Sequence, residues 1–206
     1  MKFAYFNPTV MAIDEIPEPI FSDIKNLADT AHNHPQHNDE GNPAISIRGG
    51  QQVHLHPNKF NLDITILKNY VESKCKEYIN TITQAQGVKE LEKFTPVMVS
   101  AWTIKQKSGD YQALHSHEAH ISGNIYLDVP TMQSPKSSDA HIEFRLPTIK
   151  NPATFTFIDQ WRFKPEPKKM IVFPSYIPHT VYPWQGTGHR TILAWDVVLT
   201  AGVAQG

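Results

Sequence analysis

Two histidines separated by a single residue, His115 and His117, are the side chains in this sequence best placed for metal chemistry. On an extended strand, residues i and i+2 point to the same face, so both imidazoles can reach one metal ion. A third ligand would complete the site, and His179 is the candidate because a proline-bounded turn precedes it in FPSYIPHTVYPW. The spacing predicts a three-histidine metal centre; the alternative is a group of hydrogen-bonded core histidines.

Arg190 follows His179 along the chain and opens the segment RTILAWDV. Strand alternation puts Arg190 on one face together with Ile192, Ala194 and Asp196. An arginine that points into an apolar barrel is costly unless it pairs with an anion. A carboxylate ligand could satisfy the guanidinium group with two parallel hydrogen bonds.

Three segments carry a resemblance to a known family: HSHEAHISGNIYL, MIVFPSYIPHTVYPWQGTGHRTILAWDV and an upstream IRGGQQ. Together they resemble the iron(II)- and 2-oxoglutarate-dependent oxygenases, of the type found in phage and marine bacterial genomes. The resemblance covers residues 96–200 well and residues 45–95 loosely. It implies a prolyl-hydroxylase-like double-stranded β-helix, or jelly roll, and a hydroxylase that uses O2 and 2-oxoglutarate.

The resemblance also implies roles for single residues at the matching positions. In this family the first and the distal histidine bind iron; these two residues correspond to His115 and His179 in this sequence. The arginine after the distal histidine binds the far carboxylate of 2-oxoglutarate, which corresponds to Arg190. Tyr126 and Asn124 lie on the strand that in relatives gives polar contacts to this cosubstrate. The implied cofactors are iron(II) and 2-oxoglutarate, with zinc or nickel as substitute metals in a purified sample.

The second metal ligand departs from the commonest pattern of the family. That ligand is usually Asp or Glu, whereas position 117 is His and position 118 is Glu. Strand alternation favours His117, because Glu118 should point to the opposite face; a distorted strand would favour Glu118. Three neutral imidazoles would leave the metal its full double positive charge, which alters redox potential and anion affinity.

Three other functions are compatible with these residues. Gly109 followed by His115-x-His117 matches the opening of a cupin motif, and three-histidine cupins include dioxygenases and isomerases that use no 2-oxoglutarate. The glutamate expected after the second histidine of that motif is absent, because Ile121 and Ser122 stand there. Three histidines with an open fourth position also suit a zinc hydrolase. The non-enzymatic alternative is a jelly-roll binding module.

The elements that must position these side chains follow from the hydrophobic pattern. Apolar residues at spacings of three and four predict a short helix after Pro19, within residues 14–31, and a long helix from about Asn61 to Thr83. Ile66 and Cys75 belong to the apolar stripe of the long helix, so Cys75 is expected to be a small buried hydrophobe. The polar segment from 32 to 50 is predicted to be a loop.

After Thr95 the pattern changes to short β-rich runs separated by turn residues. These runs are Pro96–Lys105, Ser122–Val129, His141–Leu146, Ala153–Ile158, Lys169–Phe173 and Arg190–Leu199. Helices followed by strands predict a mainly β fold with flanking helices, in which an antiparallel sandwich or barrel carries the site. We expect one domain over residues 1–206, with a helical and loop region at 1–95 packed on a cupin-like double-stranded β-helix at 96–200.

Composition limits the partners. The formal net charge is −1, with 19 Lys and Arg against 20 Asp and Glu, which argues against nucleic-acid or polybasic membrane binding. One cysteine among 206 residues and no signal-peptide pattern in residues 1–20 favour the cytoplasm. The expected partners are O2 and a small-molecule or peptide substrate, and a free sheet edge would allow a homodimer.

The chain has 11 histidines, so the remaining eight need an interpretation. His54 and His56 form a second H-x-H, but no arginine-bearing block accompanies it, and strand-edge polarity is the favoured interpretation. The others are expected in loops, at the surface or in packing contacts: His32, His34, His37, His120, His141 and His189. The tryptophans are expected to lie in the core.

Overall fold

Two helices and thirteen strands are present in the computed structural model, which describes residues 9–34, 47–55, 62–133, 138–151 and 156–201. The helices are α1 (Glu18–Asn33) and α2 (Thr65–Gln86), and a 3₁₀ turn follows at Lys89–Lys93. The strands are β1 (Ala12–Glu15), β2 (Ile47–Arg48), β3 (Gln51–His54), β4 (Phe94–Gln106), β5 (Tyr111–His115), β6 (Ile121–Asp128), β7 (Thr131–Met132), β8 (Ile142–Asn151), β9 (Thr156–Phe163), β10 (Lys169–Pro174), β11 (His179–Val181), β12 (Gly186–Thr187) and β13 (Arg190–Ala201).

The strands form two facing antiparallel sheets. The major sheet has the order β1-β10-β6-β13-β4-β3, and the minor sheet has the order β2-β5-β11-β8-β9. A two-stranded ribbon of β7 and β12 lies beside them. This arrangement is a double-stranded β-helix, which confirms the predicted fold class. The predicted strand runs overlap β4, β6, β8, β9, β10 and β13, although residues 152–155 lie outside the described part of the chain.

Helices α1 and α2 pack with one outer face of the major sheet, and their apolar stripes form one core with that face. From the helices this core includes Ile24, Ala28, Ala31, Leu67, Val71 and Cys75; from the sheet it includes Ile125, Leu193, Trp195 and Val197. Burial raises the pKa of the Cys75 thiol to about 12, as expected for a packing residue. In the described part of the chain, neither helix combines the length and apolar composition needed to cross a membrane.

The helix bounds differ from the predicted ones at several points. Helix α2 begins at Thr65 rather than near Asn61, because the carboxylate of Asp63 accepts a hydrogen bond from the Thr65 amide (2.9 Å) and starts the first turn. It ends where Gly87 adopts a left-handed φ of 69°. Ile66 was expected on the buried stripe but is 48% exposed. Helix α1 starts at Glu18, and its end at Asn33 places His32 in the helix instead of the predicted loop.

Strand β13 follows the predicted alternation, and it lies at the centre of the major sheet. Leu193, Trp195 and Val197 face the helices, while Ile192 and Ala194 belong to a second core between the two sheets. Gly123 on β6 pairs with Trp195, and a Cβ atom there would collide with the indole ring and lie 2.6 Å from the Ile171 carbonyl oxygen. The glycine therefore lets the tryptophan cover β6, and the inner face of β13 is left for the site.

Candidate metal centre

Strands β5 and β11 bring two of the predicted ligands together. His115 and His179 are direct partners across this antiparallel pair, and their ring centroids are 4.2 Å apart. The next paired residues are Gln112 and Val181, so two residues of β5, Ala113 and Leu114, lie opposite one residue of β11, Thr180. This bulge puts both Gln112 and His115 on the cavity side, where strict alternation would have placed Ala113.

His117 lies just beyond the end of β5, where its backbone N–H donates to the Ser175 carbonyl (2.9 Å). Its ring centroid is 5.4 Å from that of His115 and 5.2 Å from that of His179. One ring nitrogen from each of the three histidines lies within 4.8 Å of the others. The structure thus brings together the three predicted metal ligands. Glu118 is exposed and lines the same cavity, but it does not belong to this group among the described residues.

Hydrogen bonds fix which nitrogen of each imidazole faces the centre. The Nδ1 atoms of His115 and His179 lie 2.8 and 3.0 Å from the carbonyl oxygens of Ala113 and Ile177. Nδ1 of His117 lies 2.8 Å from a carboxylate oxygen of Asp196. These oxygens can only accept, so each Nδ1 carries the proton and each Nε2 keeps its lone pair. This is the tautomer that metal-binding histidines adopt.

His115 and His179 lie in surroundings that favour the neutral imidazole. Burial lowers the pKa of His115, and the neighbouring His117 lowers it further. Burial and the proximity of His115 hold the pKa of His179 well below its usual value. Phe144 and Phe173 pack around the His179 ring, with centroids 5.5 and 5.0 Å away. Both shifts favour the neutral imidazole of His115 and His179, which is the form that coordinates metals.

A cavity of about 420 Å³ lies between the sheets and reaches from the histidines to Arg190. Its apolar wall consists of Trp102, Ile104, Ile142, Phe173, Val181, Ile192 and Ala194. Its polar wall includes Gln52, His54, Ser100, Gln112, Asn124, Tyr126 and Asp196. A mostly apolar cleft of this size with few polar groups is typical of a small-molecule site.

Arg190 is 1% exposed, and neutral groups hold it in place. Its Nη1 donates to the carbonyl oxygens of Ala140 (2.9 Å) and Tyr182 (3.3 Å), and its Nη2 donates to the amide oxygen of Gln106 (2.5 Å). The Trp184 ring lies 4.8 Å from the guanidinium carbon. Burial lowers the pKa of Arg190 to about 10, so it stays positive at neutral pH. Among the described residues no carboxylate forms an ion pair with it, and a buried cation without one is suited to an anionic ligand.

Tyr126 and Asn124, the two predicted polar contacts on β6, both line this cavity. Burial raises the pKa of the Tyr126 phenol to about 12, so its hydroxyl remains protonated, and Asn124 hydrogen-bonds to it. The Asn124 side-chain oxygen is buried and has no hydrogen-bond partner in the described part of the chain. These two side chains bring polar groups to a cavity whose other walls are mostly apolar.

Other cavity residues were absent from the predicted site. Trp102 was expected in the core but lines the cavity, with its ring 5.5 Å from His117. Gln52 and His54 reach the cavity from β3, where Gln52 Nε2 lies 3.0 Å from His54 Nε2. The IRGGQQ segment contains β2 and the start of β3, but its sequence does not indicate which wall of the cavity these strands join. Strand alternation correctly predicted that Asp196 lies on the same face of β13 as Arg190, but the sequence pattern indicated no function for this carboxylate.

The other histidines in the described part of the chain do not line this cavity. His32 Nε2 is 3.2 Å from the Thr103 hydroxyl, and His120 Nδ1 accepts the Leu199 amide proton (3.0 Å). His141 contacts the Asp139 carbonyl oxygen (2.9 Å), and His189 is exposed. His37 and His56 lie outside the described residues.

Comparison with known proteins shows what the core of the β-helix is similar to. Residues 100–196 match the family model described as "Putative 2OG-Fe(II) oxygenase", which spans the three histidines and Arg190. This match makes residues 100–196 similar to the 2OG-Fe(II) oxygenases. This confirms the resemblance found in the sequence. A search of curated proteins finds no match.

Solved structures of prolyl hydroxylases share the fold. A Pseudomonas putida prolyl-4-hydroxylase matches with TM-score 0.54 and 14% identity, over 91% of each chain. A viral collagen prolyl hydroxylase from Paramecium bursaria Chlorella virus-1, solved with 2OG, matches with TM-score 0.53 and 14% identity, over 91% of this chain and 96% of that one. A Trichoplax adhaerens prolyl hydroxylase, solved with a hypoxia inducible factor peptide, matches with TM-score 0.56 and 12% identity, over 90% and 82%.

The residues present fit the cofactors of the 2OG-Fe(II) oxygenases. Three imidazoles with inward Nε2 atoms suit a divalent transition metal. A buried cation with neutral partners, in the same cavity, suits the far carboxylate of a dicarboxylic acid.

Proposed function

We propose that this protein is an iron(II)- and 2-oxoglutarate-dependent hydroxylase in which His115, His117 and His179 hold the metal and Arg190 binds the cosubstrate. The observation that carries this proposal is the pairing of two groups in one cavity: three inward imidazole Nε2 atoms and a buried guanidinium without an ion-pair partner among the described residues. A three-histidine cupin that uses no 2-oxoglutarate would need the three imidazoles but would not need the buried guanidinium.

His117 rather than Glu118 is the second ligand in this proposal. The His117 ring is held toward the other two imidazoles through its Nδ1 contact with Asp196, and its own exposed fraction is only 11%. Glu118 is exposed, and among the described residues it is not grouped with the histidines. A buried, oriented imidazole loses less conformational entropy on binding a metal than an exposed carboxylate side chain does.

Arg190 orients the cosubstrate. Its backbone and Gln106 contacts fix the guanidinium plane before any ligand arrives, so little entropy is lost when a carboxylate binds. Tyr126, with a hydroxyl that stays protonated, donates a further hydrogen bond to the same ligand, and Asn124 supports Tyr126. This arrangement leaves the other end of the dicarboxylic acid directed toward the histidines.

The apolar wall has a separate role, which is the exclusion of water. Ile104, Ile142, Val181 and Ile192 line the cavity that contains Arg190 and the histidines, and their side chains offer no hydrogen bonds to water. With iron(II) and 2-oxoglutarate bound, the centre would activate O2, with one oxygen atom entering succinate as CO2 is lost and the other entering a substrate C–H bond as a hydroxyl group. Water-free walls limit side reactions during that chemistry.

The proposed substrate is a small molecule or one side chain of a peptide. The cavity volume of about 420 Å³ must hold the cosubstrate as well as the reacting group, so a larger substrate can enter only in part. The Trichoplax relative was solved with a peptide, which supports the peptide alternative for this chain.

The proposal is tested by incubating the purified, iron(II)-reconstituted protein with 2-oxoglutarate in air and measuring succinate. We expect succinate formation above that of metal-free protein even without an added substrate, because oxygenases of this kind turn over slowly when uncoupled. A His189→Ala variant, changed at an exposed histidine next to Arg190, should match the wild type. Absence of succinate together with tight zinc binding and ester hydrolysis would favour a zinc hydrolase instead.

A further inference from the structure

Asp196 on β13 lies next to His117, one of the proposed metal ligands, and does not itself belong to the histidine group among the described residues. Its Oδ1 atom is 2.8 Å from Nδ1 of His117 and accepts a hydrogen bond from the Ser122 hydroxyl (2.6 Å). The hydroxyl of Ser100 lies 3.4 Å from Oδ2. The carboxylate is 16% exposed and lines the cavity. Its strongest contacts are thus to His117 and to a buried serine.

Ser122 connects Asp196 to a second serine. Ser122 Oγ is 2.7 Å from Ser175 Oγ, and both serines are completely buried. A hydroxyl has one proton, and Ser122 gives its proton to Asp196, so Ser175 must donate to Ser122. The Ser175 carbonyl in turn accepts the His117 backbone N–H (2.9 Å). Four segments of the β-helix are therefore tied together around one imidazole.

We infer that Asp196 is a positioning residue that also supplies the negative charge missing from the metal ligands. This inference rests on the proposed function and deepens it. Two histidines and a carboxylate reduce the charge of a divalent centre by one unit, whereas three neutral imidazoles leave it unchanged. A carboxylate that accepts a hydrogen bond from Nδ1 of His117 makes that imidazole a stronger ligand. It also supplies the same negative charge from the far side of the imidazole ring.

Asp196→Asn isolates the charge. Both strong hydrogen bonds of Asp196 end on Oδ1, which an asparagine oxygen can replace, and the new amide group would face the Ser100 hydroxyl, which can accept. The shape and the hydrogen bonds are kept while the negative charge is lost. Glu118→Gln is the matched control, because it removes a carboxylate from the same cavity outside the histidine group.

The experiment measures iron(II) affinity by anaerobic calorimetry, and 2-oxoglutarate affinity of the iron-loaded protein by its charge-transfer absorption. We expect Asp196→Asn to weaken iron binding about tenfold. Its 2-oxoglutarate affinity, at saturating iron, should equal or exceed that of the wild type, because a more positive centre attracts a dianion more strongly. A purely structural role would lower both affinities. Glu118→Gln should change iron affinity less than about twofold.

The inference would be overturned if Asp196→Asn bound iron(II) as tightly as the wild type. It would also be overturned if Glu118→Gln lost more iron(II) affinity than Asp196→Asn. If Asp196→Asn fails to fold, Ser122→Ala replaces it: removing the hydroxyl that orients the carboxylate should weaken iron binding about threefold, and no change would count against the inference. Failure of the wild type to bind iron at all would instead remove the proposed function, so the two failures are distinguishable.

Discussion

The histidine end and the arginine end of the cavity are built by opposite means. At the histidine end, acceptors outside the ligand set bind the Nδ1 protons of His115, His117 and His179 and leave lone pairs facing inward. At the arginine end, neutral acceptors hold the guanidinium of Arg190, which keeps its positive charge. One end is arranged for a cation and the other for an anion.

The difference shows how a fold can select a two-part ligand. Both ends lie on the same inner surface, and both are oriented by contacts that do not use the groups needed for binding. The proposed metal and dicarboxylic acid would therefore bind without rearrangement of the residues proposed to hold them, which lowers the entropic cost of binding. Changes at one end should affect one ligand and leave the other unchanged.

The largest effect is expected at the histidine end. His179→Ala removes the most buried of the three imidazoles and leaves two ligands that cannot hold a divalent ion alone. Iron(II) affinity measured by anaerobic calorimetry should fall at least about 100-fold, and succinate formation should fall to background. His189→Ala is the control, with unchanged affinity. Retention of tight iron binding in His179→Ala would mean that another group completes the centre.

Arg190→Lys should affect the other ligand. Lysine keeps the positive charge but lacks the planar pair of donors that a carboxylate matches. The apparent KM for 2-oxoglutarate in succinate formation should rise about 10- to 100-fold, while iron affinity stays within about twofold of the wild type. Arg162→Lys, on the outer face of the minor sheet, is the matched control and should leave both values unchanged. An equal loss of iron affinity in Arg190→Lys would contradict the separation of the two ends.

The same comparison explains which parts of the site were predictable from the sequence. On β13, strand alternation correctly predicted that every second side chain from Arg190 to Asp196 faces the cavity. The prediction holds because side chains of a central strand alternate between the two faces of the sheet. The ordering of His115, His117, His179 and Arg190 resembled the family, and the structure brings all four to one cavity.

Other parts depended on contacts that no local pattern contains. The bulge in β5 changes the alternation and turns Gln112 inward, and its position is set by the pairing with β11. The start of α2 depended on the Asp63 side chain rather than on the apolar stripe. Trp102 became a cavity wall because β4 neighbours β13, which is a consequence of strand order, not of composition.

A smaller effect is expected for Tyr126→Phe. The substitution keeps the buried ring but removes the hydroxyl, and it leaves the polar group of Asn124 that hydrogen-bonds to it without that partner. The apparent KM for 2-oxoglutarate should rise about 3- to 10-fold, less than for Arg190→Lys. Iron affinity should not change. A KM equal to that of the wild type would show that the phenol does not contact the cosubstrate.

The smallest effect on the cavity is expected from Glu143, a charge buried on the outer side of the minor sheet. Unlike Arg190, its fully buried carboxylate has ionic partners: Arg162 Nε at 2.5 Å and Arg145 Nη2 at 2.7 Å, with a further hydrogen bond from the Tyr182 hydroxyl (2.8 Å). Burial raises the pKa of Glu143, but the hydrogen bonds from Arg162 and Tyr182 and the charges of both arginines outweigh burial, so the pKa lies below its usual value.

Glu143→Gln should therefore leave iron and 2-oxoglutarate binding unchanged while lowering the free energy of unfolding at pH 7 by about 2 kcal/mol. Because the folded-state pKa is depressed, the stabilisation from the ionised carboxylate is complete above the unfolded value of about 4.3 and is lost as the pH falls through the lower folded value. Urea titrations of both proteins should then show a difference in the free energy of unfolding that is constant between about pH 6 and 7. This difference should narrow below about pH 4. A difference in unfolding free energy that does not depend on pH would mean that Glu143 stabilises the fold through its shape rather than its charge. A change in 2-oxoglutarate affinity would show that the arginine end responds to charges outside the cavity, since Tyr182 contacts both Glu143 and Arg190.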